Sequence, residues 1–375
     1  MSSGIQSIVV EPRVCAFQRN EKELLYDTCC KLDEATLIEP INSVEDVLLK
    51  DDGTRKDGLK FSRTALIQIC EKITPGLSAL VQNIAGLKLR SDSLDEVLDP
   101  RLACRIINSC AKLRFRAKEG LYTRQLIINA ADNVIEGVVG PKYKYLSHRN
   151  LYETVDEMLS SLEETVVFSS ATIHGRHMAM NWVSDTNVFS LANNDAYHMG
   201  YYFSNSEGGG SGVHAAASLT LRDRNLRCVS DFASVAHAGK SFNKRLQELL
   251  ANVLVTGEAA LNKLKTHING LFDSWLVIFD ENTKQVDRDR QQYLITTLAS
   301  NGLDVASARI IINRMLYGEN VSESNVYIHR ITNMRDKSVY DLIMCLMECA
   351  KEFQPAAREK FERVAFDLIT DKFSV

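Results

Sequence analysis

The sequence predicts an α+β protein, with a β-rich middle set between helical ends. Three observations predict it. Residues 121–139 and 164–221 carry alternating, β-branched and aromatic runs broken by turn residues. Residues 21–37, 62–116 and 288–369 instead place apolar side chains at helical spacing. The 375 residues, 45% hydrophobic and 25% charged, suffice to bury a sizeable core. The expected regions are a mostly helical 1–118, a central α+β domain over 119–270, and a helical 271–375.

In chain order, Glu21 to Leu37 has helical spacing and Pro40 ends it. Ser43 caps a short helix to Leu49, and a charged turn with two glycines follows over 50–58. Ser62 caps a helix from Thr64 to Ile73. Pro75 separates it from a second, Leu77 to Ile84, and Ser93 caps a third that ends before Pro100. Arg101 to Arg116 is the next helix. Leu121 to Ala130 alternates as a strand, Ala131 to Asn133 turns, and Val134 to Val139 returns. Ser147 caps a helix over 149–162. Glu164 to Ser170 and Ala179 to Val183 form a further strand pair. After Gly270 the apolar run from Trp275 to Phe279 is short. Helices are expected at 288–298, 305–316, 339–349 and 356–369.

Net charge is −4 with a pI near 6.1, so a nucleic-acid role has to rest on a local basic patch. Nine cysteines at irregular spacing, with no CxxC, suggest reduced thiols and a cytoplasmic setting. Cys345 and Cys349 read as buried thiols. No signal peptide and no run of about 20 apolar residues is visible, so no membrane contact is expected.

The chain is organised around 197–264. Tyr197-His-Met-Gly-Tyr-Tyr-Phe203 leads into Ser204-Asn-Ser-Glu-Gly-Gly-Gly-Ser-Gly212, then Val213 to Leu221, then the cations Arg222, Arg224 and Arg227. Gly239-Lys-Ser241 opens a helix to about Leu264. Two segments concentrate charge: 114–149 holds seven cations against three acids, and 222–245 holds six against two. Cations that follow phosphates, with rings that stack on bases, suit a single strand. The expected phosphate contacts are Arg114, Arg116, Lys142, Lys144, Arg149, Arg222, Arg224, Arg227, Lys240, Lys244 and Arg245. The expected stacking rings are Tyr143, Tyr145, Tyr201 and Tyr202. A solvated surface over core aromatics is the plain alternative.

Other chemistry is weaker. Gly239-Lys240-Ser241, with Asp280 after an apolar run, matches only the end of a phosphate-binding loop, because Ser234 stands where the first glycine belongs. His174 and His177 lie three apart and would point to opposite faces of one strand. His198, His214 and His237 meet only if the fold brings them together. Ser204-Asn-Ser-Glu207 before three glycines reads as a hairpin tip rather than an anion nest. Glu359 and Glu362, alternating with Arg358, Lys360 and Arg363, read as a solvated face. No cofactor and no metal are expected.

Two blocks resemble a known family. Leu121-Tyr-Thr-Arg-Gln-Leu-Ile-Ile-Asn129 with 137–151 forms the first. Residues 203–212, 221–229 and His237-Ala-Gly239 form the second. They are similar to a phage- and plasmid-encoded group defined only as domain of unknown function nine-three-two, over roughly 60–270. Val229-Ser-Asp stands where many members carry Thr-Asn-Gly. The resemblance implies a mobile-element protein of replication or recombination, and brings no agreed active site. The expected function is therefore single-stranded nucleic-acid binding or annealing by a non-enzymatic homo-oligomer. The alternatives are a phage structural or host-takeover protein acting through protein contacts, and a nucleotide hydrolase at Gly239-Lys240-Ser241.

Overall fold

The computed structural model describes residues 9–10, 13–73, 100–116, 123–162, 164–190, 196–221, 226–230, 233–267, 270–271, 275–277, 279–280, 285–286, 288–317, 337–353 and 355–370. Its α+β architecture rests on two sheets. Strands β1 (Val9–Val10), β3 (Thr36–Pro40), β4 (Lys60–Ser62), β5 (Gln125–Asn129) and β6 (Val134–Val139) form the smaller, in the order β1-β4-β6-β5-β3. β4 runs parallel to β1 and β6, and the remaining pairs are antiparallel. Strands β2 (Val14–Gln18), β7 (Val166–His174), β8 (His177–Ser190), β9 (Ala196–Ser206), β10 (Val213–Leu221) and β11 (Leu226–Val229) form the larger. It is antiparallel, in the order β11-β10-β9-β8-β7-β2, and β12 (Ala233–Val235) also pairs with β10.

The N-terminal region carries strands as well as the expected helices. Four of its short segments, β1 to β4, complete sheets whose other strands lie over 125–235. Strands of two to five residues are too short to show a period of two, and they are held by backbone bonds to neighbours distant in the chain. Helix α1 (Lys22–Glu34) therefore stops before Leu37.

The smaller sheet buries Phe61, Leu126, Ile128, Ile135 and Val138 under α2 (Arg63–Ile73) and α3 (Pro100–Arg116). Each such side chain contributes about 1.5–3 kcal/mol. Ser62 Oγ accepts from the Ala65 amide at 3.1 Å, the expected cap. The expected helices at 77–84 and 93–99 lie outside the described residues.

The larger sheet is covered on both faces, which is why β9 and β10 read as almost continuous apolar runs. On one face Trp182, Tyr201, Phe203 and Ala215 pack against α1, α4 (His148–Ser160) and α5 (Phe242–His267). Further along it, Tyr197, Met199, Leu219 and Leu221 join a cluster with α6 (Arg288–Ser300), α7 (Val305–Tyr317), α8 (Val339–Ala350) and α9 (Pro355–Ile369). The other face carries small and polar residues, Ala179, Asn181, Ala216, Ser218 and Thr220. Ser218 Oγ donates to Asn181 Oδ1 and Asn181 Nδ2 to Thr220 Oγ1, both at 2.9 Å. Helix α9 closes this face through Glu359 and Glu362, which are buried rather than solvated.

Candidate functional site

The glycine-rich turn closes the β9–β10 hairpin with Gly209 and Gly210 exposed at its tip, and its buried side, Ser204 to Gly208, is the joint between the sheets. Ser204, Asn205 and Glu207 are fully buried. Gln68 of α2 donates to Gly208 O at 2.9 Å and accepts from the Val138 amide at 2.6 Å, which ties the turn to β6. A Cβ on Gly137 would lie 2.7 Å from Gly208 O, so only glycine allows this approach. Gly209 has a φ of 74°.

Glu207 binds two further elements. Its Oε1 accepts from the His148 amide in the first turn of α4, beside the cap Ser147, whose Oγ accepts from Asn150 N at 3.1 Å. Its Oε2 accepts from Arg176 Nη1 at 2.7 Å, and Arg176 Nε donates to Glu136. Burial pushes both carboxyls up, and Arg176 opposes that shift. Burial works against the Arg176 charge, yet Glu207 and Glu136 hold it protonated. Burial also keeps His148 neutral, well below the ordinary histidine range.

Two basic segments distant in the chain meet beside this joint. Tyr143 and Ala238 form an isolated antiparallel bridge, and the Lys144 amide donates to His237 O at 2.8 Å. Arg245 donates to Ala238 O. Lys142, Lys144, Lys240 and Lys244 are exposed around the bridge, with Arg245 half-buried. Lys244 pairs only loosely with Glu248, at 3.7 Å. The rings behind them face inward. Tyr143 donates to Glu207 O at 2.8 Å and stacks on His237, which stacks in turn on Phe242. Tyr145 is half-buried, and burial raises both phenols above the ordinary range.

Several expected contacts lie elsewhere. Tyr201 and Tyr202 are 8% and 0% exposed, and Arg227 is 6% exposed, so none of the three offers a surface to a strand. Tyr202 OH donates to Glu359 at 2.6 Å and Arg227 to Glu362 at 2.8 Å, while the Arg227 guanidinium sits 4.4 Å from the Tyr202 ring centre. For Tyr202 and Arg227 the cause is α9, which covers their face of the sheet, while Tyr201 lies on the opposite face under α5. Arg149 is half-exposed and paired with Glu153 at 2.9 Å, and Arg114 lies on α3 over the smaller sheet. Arg222 and Arg224 fall outside the described residues, as does the side chain of Arg116.

A cleft of about 1140 Å³ opens between the sheets. Arg13, Lys31, Lys60 and Arg63 line it, with Arg176 and Glu136 from the joint. None of its four peripheral cations was singled out in the sequence. They are scattered over the first 63 residues, and only the sheet pairing gathers them.

The remaining motifs do not assemble. Asp280 lies in a short ladder of Phe279–Asp280 with Gln285–Val286, and the strand before Gly239 pairs with β10. His174 and His177 oppose each other across a two-residue turn and so share a face, contrary to the single-strand expectation. His198 meets Ser184 O, His237 meets Lys144 O and His214 meets Glu359, so the three do not converge. Among the described residues no group of three or more His, Cys, Asp or Glu side chains is placed to hold a metal. Cys345 is partly and Cys349 fully buried. Their sulfurs are 4.0 Å apart, and the Cys345 thiol with Arg314 brings Cys349 down to about 7. No helix among the described residues is long and apolar enough to cross a membrane. In the comparisons, no family model, no curated protein and no solved structure matches the chain.

Proposed function

We propose that the protein binds single-stranded nucleic acid along the ridge of Lys142, Lys144, Lys240, Lys244 and Arg245. The observation that carries this is the Tyr143–Ala238 bridge, which joins two basic segments into one exposed surface. Exposed lysines are strongly hydrated point charges that suit a phosphate backbone, and each contact releases counterions. Base stacking has no part in it, because the rings of the two segments are tied to the Glu207 joint. Binding is therefore backbone-led and tolerant of sequence. A place in replication, recombination or annealing, and self-association along a strand, rest on the family resemblance and belong to the same proposal.

The test is fluorescence anisotropy with a labelled single strand and the matching duplex over a salt series. The single strand should bind more tightly, with a marked salt dependence. Lys144→Glu with Lys240→Glu should weaken binding and flatten the slope of log K against log salt by roughly one to two units. An unchanged slope overturns the ridge. No binding by the wild-type protein at low salt favours a role through protein contacts.

A further inference from the structure

We propose that the cleft between the two sheets binds a nucleotide by its phosphate. It is a second site, separate from the lysine ridge, and stands on different residues.

Its wall includes the start of α2, where Ser62, Arg63 and Thr64 line the cavity and no acid occupies the first turn of this 11-residue helix. A helix start favours negative charge. Lys60 precedes it on β4, and Lys31 of α1 lines the same space. Both lysines are exposed, and neither makes an ion pair among the described residues. From the β7–β8 turn comes Arg176, whose side chain is 3% exposed. Its Nε and Nη1 are used by Glu136, Glu207 and Thr36, but its Nη2 has no partner among the described residues. A buried guanidinium donor left unmet is costly, so a ligand oxygen that met it would be well held.

The acids of the wall do not cancel this set. Of its three acids, Asp132 is engaged by Arg13 at 2.7 Å and Glu136 by Arg176, and the exposed Glu34 offsets only one of the lining cations. Arg176 is balanced by its two glutamates, so the unmet positive charge comes from Lys31 and Lys60 and the unmet donor from Arg176. At about 1140 Å³ the space is far larger than a bare phosphate needs and is of the size of small-molecule pockets. Asn133 adds an exposed amide that both donates and accepts, as a base or ribose edge requires, and the buried Asn129 beside it holds the turn through Asp132 and the 131 and 132 amides.

A free nucleotide and the phosphorylated end of a strand present the same chemistry. Equilibrium dialysis with labelled dATP distinguishes them when unlabelled oligonucleotides compete, one with a 5′-phosphate and one with a 5′-hydroxyl. Wild-type protein should bind dATP saturably. Lys31→Glu with Lys60→Glu, both at the surface, should weaken it at least tenfold, and the ridge variant Lys144→Glu with Lys240→Glu should leave it unchanged. Competition by the phosphorylated oligonucleotide alone assigns the site to strand ends, and competition by neither assigns it to free nucleotides. No saturable dATP binding at millimolar concentration, or binding unaltered by the cleft substitutions, overturns the proposal. Oligonucleotide binding that fails while dATP binding persists removes the ridge and leaves the cleft standing.

Discussion

Lys142-Tyr-Lys-Tyr145 and the set of Tyr202 and Arg227 carry the same kinds of side chain, cations beside aromatic rings. The first, bridged to 238, leaves its lysines in solvent. The second is closed between β9, β11 and α9, where Arg227 lies on the Tyr202 ring and both are met by glutamates. Residue type does not separate the two. What separates them is the partner that arrives from 130 or more residues away. Glu359 and Glu362 neutralise and hydrogen-bond the second set, and the lysines of the first stay exposed.

The largest expected effect is therefore inside. Arg227→Met leaves Glu362 buried with only Arg358 for compensation and should cost about 3–5 kcal/mol in urea unfolding. Adding Glu362→Leu should restore most of it. A loss under about 1 kcal/mol would mean that the pair is solvated and that the contrast between the two regions fails.

Tyr202→Phe comes next. It removes the donor to Glu359 and should cost about 1–3 kcal/mol, leaving single-strand affinity unchanged. A loss of affinity with intact stability would return Tyr202 to the binding surface.

A smaller effect should appear with pH. Burial pushes Glu359 up, but contacts from His177, His214 and Tyr202 outweigh it and hold the carboxyl well below its ordinary value of 4.5. A carboxyl lowered in the folded state stabilises above its unfolded value. That contribution is lost as pH falls from about 4.5 toward the folded value. Denaturant midpoints should drop on acidification, and Glu359→Gln should flatten that limb. An identical acid limb in the variant would show that other groups carry it.

The smallest effect on stability belongs to the ridge. Lys144→Glu and Lys240→Glu should each shift unfolding by no more than about 0.5 kcal/mol. A cost above 1 kcal/mol would reveal ion pairing at the ridge and weaken it as a free phosphate surface.

Much of the fold was legible locally. The caps at Ser62 and Ser147, the 125–139 hairpin and strands β9 and β10 follow from capping chemistry, period-two alternation and continuous apolar and aromatic runs bounded by turn residues. Both basic segments were legible too, as composition. The pairing of β2, β3 and β4 was not, because such short strands take their stability from backbone partners far along the chain. Nor was the role of Glu207, which looked like part of a flexible tip. Its burial depends on Arg176, Glu136 and the start of α4 arriving together. Propensity, caps and hydrophobic period act within a few residues, and they suffice for the elements and the class. Which cation meets solvent and which meets a buried glutamate depends on the charge and cover supplied by another element, a long-range property that no local window of sequence contains.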